Sequence, residues 1–146
     1  MEVIKIIQWD MGHRVMNHRS ICKGLHGHRY KAEISLKGEL VDVEGASEEG
    51  MVVDFADIKK LALSLIHSKL DHSFMVWDQD DEMIDFFNSS KGHKPVIVPF
   101  TPTAENVAKY IYDVLAPKVV DTYGNNLHLN SVKVWETPTS CAVYSG

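Results

Sequence analysis

The chain has 146 residues, of which 45% are hydrophobic and 24% are charged, a composition that predicts one globular domain over residues 1–146. The formal net charge of −5 argues against nucleic acid or an anionic membrane as a partner. Two cysteines are too few for a disulfide framework, and the N-terminus lacks the apolar run of a signal peptide. We therefore expect a cytoplasmic protein.

Four strands are predicted from the alternation of apolar and polar residues. They cover residues 2–13, 26–38, 127–136 and 140–145. The first two are close enough in sequence to pair as an antiparallel hairpin with a long loop. An acidic connector over residues 39–50 follows this hairpin.

Two helices are predicted between the strand pairs. The first begins at Asp54, a plausible N-cap, and ends near Leu70; the second begins near Thr101–Thr103 and is kinked or ended by Pro117. Residues 78–100 are a mixed segment with a short helix around 83–87 and an extended piece at 95–99. The order ββααββ predicts an α+β fold, an antiparallel four-stranded sheet with two helices on one face.

The most informative residues lie at the joined ends of the predicted hairpin. His26 and His28 are two residues apart on a strand, so their side chains project from one face about 7 Å apart. The antiparallel pairing places His13, at the end of the first strand, beside them. Three neutral imidazoles suit zinc and leave a fourth position open for water or substrate. The sequence therefore predicts a catalytic metal site.

Two alternatives remain open at this stage. Cys22 is four residues before His26 and would be the fourth ligand of a structural zinc site. The histidines would otherwise be core or surface residues without a metal. The chain contains four other histidines with no comparable partners, which we predict to be surface or loop residues: His18, His67, His93 and His128.

Two acidic positions are further candidates. Asp71 precedes His72 at the end of the first predicted helix, and an aspartate beside a histidine can orient the imidazole. Glu136 shares a strand face with apolar residues, where an acid is costly unless it is paired. In each case the alternative is a solvent-exposed side chain at the end of an element.

Six segments together resemble the 6-pyruvoyl-tetrahydropterin synthase / 6-carboxytetrahydropterin synthase family. They occur in the family's order and extend over nearly the whole chain: Gly12–Arg14, Cys22–His28, Gly50–Phe55, Leu70–His72, Pro102–Asn106 and Val134–Thr137. The resemblance implies a T-fold (tunnelling fold), in which the sheets of several subunits form a barrel. It also implies a homohexamer built from two trimers.

The resemblance also implies the roles of the site residues. The three histidines would bind zinc, and Cys22 would be the thiolate that abstracts a proton. His72 would act as the proton relay partner of Cys22 and would be oriented by Asp71. Glu136 would anchor the pterin and join the relay. The residues beside the pterin would be Thr103 and Glu105.

The implied enzyme is a lyase that acts on 7,8-dihydroneopterin triphosphate. Asp54–Phe55 and the three-residue gap between Cys22 and His26 resemble the bacterial 6-carboxytetrahydropterin synthases of queuosine biosynthesis. The alternatives are a 6-pyruvoyl-tetrahydropterin synthase of tetrahydrobiopterin biosynthesis and a T-fold zinc protein that binds pterin without turnover. Residues 78–100 depart from the resemblance because they are longer than in compact bacterial members.

Overall fold

The computed structural model describes all residues, Met1–Gly146, and is built around one curled, mixed β-sheet. The six strands are β1 Glu2–His13, β2 His26–Gly38, β3 Ser73–Trp77, β4 Pro95–Val98, β5 Leu127–Thr137 and β6 Ser140–Tyr144. Their order across the sheet is β4-β3-β1-β2-β5-β6. The β1–β2, β2–β5 and β5–β6 pairs are antiparallel, whereas β1–β3 and β3–β4 are parallel.

The α+β class is confirmed, but the prediction of an antiparallel four-stranded sheet is wrong. The missing strands are β3 and β4, which have five and four residues. Both pair in parallel, and β3 is a continuous apolar run without the alternation that identifies a half-exposed strand. The extended piece at 95–99 was predicted, but its place at the edge of the sheet was not.

The β1–β2 hairpin supplies the centre of the core. Odd-numbered residues of β1 and even-numbered residues of β2 face the buried side, where Trp9 stacks on Tyr30 with ring centroids 5.5 Å apart. Both side chains are fully buried. The predicted register is observed, with His13 opposite His26. The alternation therefore places the histidines at the end of a rigid, well-packed element.

The helices are α1 Phe55–Ala62, α2 Ser68–Leu70, α3 Asp81–Ser89 and α4 Ala104–Tyr123, with a π-helical turn at Leu63–His67 and 3₁₀ turns at Ile21–Lys23 and Gly124–Asn126. Asp54 caps α1 as predicted and accepts a hydrogen bond from the Ala56 N–H at 2.7 Å. The π-helical turn connects α1 to α2, so the predicted end at Leu70 agrees with the structure.

Two helical predictions need correction. α4 continues through Pro117 to Tyr123, so Pro117 does not end it; this proline is exposed, and water can satisfy the carbonyl that loses its intrahelical partner. α3 is longer than the predicted short helix. It begins after Asp80, whose carboxylate accepts from the Met83 N–H and binds Arg14 Nε at 2.7 Å. None of the helices combines the length and the apolarity that crossing a membrane requires.

Candidate metal centre and active site

Three imidazoles converge at the end of the β1–β2 hairpin. One ring nitrogen from each of His13, His26 and His28 lies within 4.8 Å of the others. The ring centroid of His13 is 4.5 Å from that of His26 and 5.3 Å from that of His28. His13 is 1% exposed, and the other two are half-buried. The register of two paired strands is therefore sufficient to assemble the cluster within one chain.

Backbone carbonyls orient two of the rings. His13 Nδ1 is 2.6 Å from the Pro102 carbonyl oxygen, and His26 Nδ1 is 2.8 Å from that of Gly24. A carbonyl only accepts, so each Nδ1 carries the hydrogen and each Nε2 keeps a lone pair. Burial lowers the pKa of His13, which favours the neutral ring. Three neutral imidazoles with free lone pairs fit a bound metal ion.

The cluster lies in a cavity of about 590 Å³. One wall is the loop between β1 and β2, which carries Cys22; the other combines the start of α4 with the β5–β6 turn. Cys22 is half-buried on the 3₁₀ turn Ile21–Lys23, and its carbonyl accepts from the Val15 N–H at 2.8 Å. Its sulphur is not part of the three-histidine cluster. This placement favours an open coordination position over Cys22 as a fourth ligand.

Glu136 faces the metal cluster from β5. Its Oε1 is 3.6 Å from His13 Nε2 and accepts a hydrogen bond from the Tyr30 hydroxyl at 3.5 Å. The same hydroxyl is 3.3 Å from His13 Nε2. Burial raises the pKa of Tyr30, so this phenol keeps its proton and serves as a donor. The sequence did not predict Tyr30 as a site residue, although Tyr30 shares a strand face with His28.

The start of α4 supplies the predicted pterin neighbours. Thr103 is the N-cap of α4 and accepts from the Asn106 N–H at 3.4 Å, and both Thr103 and the exposed Glu105 line the cavity. His18 lines it from the opposite wall. The sequence predicted His18 as a surface or loop residue; it is in a loop, but that loop is a wall of the cavity. The alternation of apolar and polar residues along the sequence cannot show that a loop residue lines a cavity.

Asp71 and His72 lie outside this cavity. His72 Nδ1 is 2.8 Å from Asp71 Oδ2, and the His72 side chain is 81% exposed. The backbone N–H of Asp10 and then the imidazole of His72 hold the pKa of Asp71 below its ordinary value. His72 has a φ of 57°, a left-handed conformation that is uncommon for this residue type and is found at functional turns. The pair is thus preformed, but it does not line the cavity that Cys22 lines.

The match to a known family covers almost the entire chain. Residues 2–146 match the family described as 6-pyruvoyl tetrahydropterin synthase. The chain belongs to this family. The family resemblance predicted from six short segments is thereby confirmed.

Individual members of the 6-pyruvoyl tetrahydropterin synthase family show the extent of the similarity. The chain is 36% identical over 132 residues to a 6-carboxy-5,6,7,8-tetrahydropterin synthase of Rickettsia felis, covering 90% of this chain and 91% of that protein. A protein of the same name from Haemophilus influenzae is 32% identical, and the match covers 98% of this chain and 97% of that protein. The structure of Caenorhabditis elegans 6-pyruvoyl tetrahydropterin synthase superposes with a TM-score of 0.66 at 25% identity, covering 100% of this chain and 95% of that one.

These relatives carry enzyme names, which confirms the prediction of a lyase of the 6-pyruvoyl tetrahydropterin synthase family. The geometry is consistent with that class. A cavity that holds an open three-histidine cluster, a thiol and a carboxylate contains the groups needed to bind a polar substrate and move a proton.

Proposed function

We propose that the protein is a zinc-dependent 6-carboxy-5,6,7,8-tetrahydropterin synthase of queuosine biosynthesis. It converts 7,8-dihydroneopterin triphosphate and one water molecule to the carboxy-pterin, triphosphate and acetaldehyde. The observation that carries the proposal is the convergence of Cys22, Glu136 and the three-histidine cluster on one cavity. The names of the Rickettsia and Haemophilus relatives support the carboxy-pterin product.

Zinc is the metal that the donor set favours. Three neutral imidazoles with one open position are typical of catalytic zinc sites, whereas structural sites usually have four protein ligands. When bound, zinc supplies a Lewis acid that stabilises negative charge developing on substrate oxygens. His13 holds its place through the Pro102 carbonyl, and His26 through that of Gly24, so the ligand rings are oriented before the metal binds.

The other residues of the site bind the pterin or transfer its proton. Glu136 accepts hydrogen bonds from the amino-pyrimidine edge of the pterin, and Tyr30 holds the carboxylate in position. Thr103 and Glu105 lie beside the ring from the start of α4. Cys22 faces the substrate side chain from the opposite wall and abstracts its proton as the thiolate. Expulsion of triphosphate follows from the loss of that proton.

The proton relay requires a second copy of the chain. Cys22 lines the main cavity, whereas Asp71 and the exposed His72 do not. We propose that His72 of a neighbouring subunit meets Cys22 in a homohexamer of the T-fold type, in which the sheets form a barrel. The exposure of His72 and the fixed Asp71–His72 contact support this arrangement, because a relay residue must be both accessible and oriented.

A product assay tests the proposed function. The zinc-loaded protein is incubated with 7,8-dihydroneopterin triphosphate, and the pterins, triphosphate and acetaldehyde are quantified. The proposal predicts 6-carboxytetrahydropterin and acetaldehyde in equal amounts. A pyruvoyl-pterin as the sole product would assign the chain to the tetrahydrobiopterin branch, and pterin binding without any turnover would show a non-catalytic protein. Either result would overturn the proposal.

A further inference from the structure

The two walls of the active-site cavity differ in charge. The wall formed by α4 and the β5–β6 turn carries two carboxylates, Glu105 and Glu136. The wall formed by the β1–β2 loop carries none, and the loop, residues 14–25, contains three Lys or Arg residues and no acid. This concentration of positive charge occurs in a chain with a net charge of −5, so it is a local feature and not a general one.

The basic residues at the tip of this loop have no partner within the chain. Arg14 is neutralised by Asp80 and Glu82, but Arg19 and Lys23 are exposed and form neither an ion pair nor a hydrogen bond through their side chains. A carboxylate nearby would normally neutralise such residues in an acidic protein. Arg19 and Lys23 therefore present uncompensated positive charge on the loop, each next in sequence to a residue that lines the cavity, His18 or Cys22.

His18 adds an oriented donor to the same wall. Its Nδ1 accepts a hydrogen bond from the Ser20 N–H at 3.0 Å, so in the neutral ring the hydrogen is on Nε2. This Nε2–H has no partner in the chain, although His18 lines the cavity. The loop itself is fixed, because the His18 N–H donates to the Val15 carbonyl and the Val15 N–H donates to that of Cys22.

From this asymmetry we infer a binding subsite for the polyphosphate chain of the substrate, formed by His18, Arg19 and Lys23. The inference rests on the proposed function, because it assumes a substrate with a neutral N–H donor edge at one end and an anionic phosphate chain at the other. The pterin edge binds the acidic wall through Glu136. The phosphates bind the basic wall through the His18 Nε2–H and the two side-chain cations. Substrate orientation is thereby set by the charge difference between the walls.

His18→Asn isolates the proposed contact from the structure of the loop. The asparagine Oδ1 occupies the position of Nδ1 and can accept from the Ser20 N–H, but the variant lacks the donor at Nε2. His128→Asn is the matched control, because His128 is exposed on β5 and does not line this cavity. Zinc content and melting temperature are measured for both, and both are expected to equal those of the parent.

Inorganic tripolyphosphate is the probe, used as an inhibitor and in calorimetric titration of the zinc-loaded protein. His18→Asn should weaken tripolyphosphate binding and raise KM for the triphosphate substrate about tenfold, with kcat changed much less. Binding of dihydroneopterin, which lacks the phosphates, should stay the same. Arg19→Ser with Lys23→Ser should lower kcat/KM most at low ionic strength, whereas Lys59→Ser on α1 should have no effect.

The outcomes separate this inference from the proposed function. Absence of turnover by the parent protein would overturn the proposed function, whatever the variants do. Normal turnover by the parent, together with unchanged tripolyphosphate binding and KM in His18→Asn, would overturn the subsite alone. Equal weakening of dihydroneopterin and tripolyphosphate binding would also overturn it, because His18 would then support the loop and not the phosphates.

Discussion

The histidine cluster and the Asp71–His72 pair lie near the same end of the β1–β2 hairpin but are presented in opposite ways. The cluster is enclosed, and His13, 1% exposed, is held by the Pro102 carbonyl. His72 is 81% exposed and lines a second, shallow cavity of about 410 Å³ together with Gly12, Gly27 and His28, so His28 borders both cavities. One region is complete within the chain, and the other faces outward.

This difference in exposure explains how one fold can separate metal binding from proton transfer. A cluster that depends only on strand register forms whenever the hairpin forms. In the proposed mechanism, the relay on the outer surface acts on Cys22 when a second copy brings it there. Metal binding should therefore survive changes that abolish turnover, and the following variants test that separation.

Cys22→Ala should have the largest effect. We expect kcat to fall by about a thousandfold or more, because a positioned general base is lost, while zinc content stays the same. Cys141→Ala is the matched control, since Cys141 is the other thiol that lines the cavity, and it should keep turnover within about twofold. Loss of zinc in Cys22→Ala would instead identify Cys22 as a metal ligand.

His72→Ala should have the next largest effect, a loss of about a hundredfold in kcat with unchanged zinc content. The physical reason is the loss of the proton relay, which involves no metal ligand. The exposed His128→Ala provides the comparison for a histidine outside both regions. Full activity of His72→Ala in steady-state assays would remove Asp71 and His72 from the mechanism.

Asp80→Ala should affect stability more than chemistry. The carboxylate is 2% exposed, caps α3 and binds Arg14, so we expect a loss of about 2–3 kcal/mol in the free energy of unfolding, measured with urea. Asp78→Ala, an exposed neighbour, should cost much less. An equal loss from both would show that the ion pair with Arg14 contributes little.

The stability contribution of Asp80 should also depend on pH. The Arg14 guanidinium holds the pKa of Asp80 below its ordinary value of 3.8. A lowered carboxyl pKa gives stability that is fully present above the unfolded value and is lost as pH falls through the folded value. The difference between the parent and Asp80→Ala should therefore be constant above about pH 5 and shrink below about pH 4. A constant difference down to pH 2 would contradict this explanation.

Tyr30→Phe should have the smallest effect. Removing the hydroxyl takes one donor from the Glu136 carboxylate and one contact from His13, so we expect KM for the pterin substrate to rise about three- to tenfold. kcat should change less than KM. A normal KM in steady-state kinetics would show that Glu136 needs no support from Tyr30.

The sequence predicted those parts of the protein that depend on local pattern. Alternation in β1 and β2 determined which residues share a face, and the hairpin register then brought His13 to His26. Asp54 was predicted as a cap and the second helix was predicted to begin near Thr101–Thr103; in the structure, Asp54 and Thr103 accept from backbone N–H groups within three residues.

Other features depended on contacts between distant segments. β3 and β4 are short and pair in parallel, and β3 shows no alternation of apolar and polar residues. Tyr30 acquires its role from Glu136, which is 106 residues away in sequence. His18 was assigned to a loop, but the cavity that it lines is completed by α4 and the β5–β6 turn. In the proposed hexamer, the position of His72 relative to Cys22 depends on a second chain, which the sequence of one chain does not reveal.

Mixing two inactive variants tests most directly whether the active site is divided between subunits. Cys22→Ala and His72→Ala chains with different tags are co-expressed, and oligomers that carry both tags are purified and assayed with their zinc content. We expect activity to return to about a quarter of the parent value. In randomly mixed oligomers about one site in four combines an intact Cys22 from one chain with an intact His72 from its neighbour. Mixed oligomers that bind zinc but remain as inactive as each variant alone would contradict it.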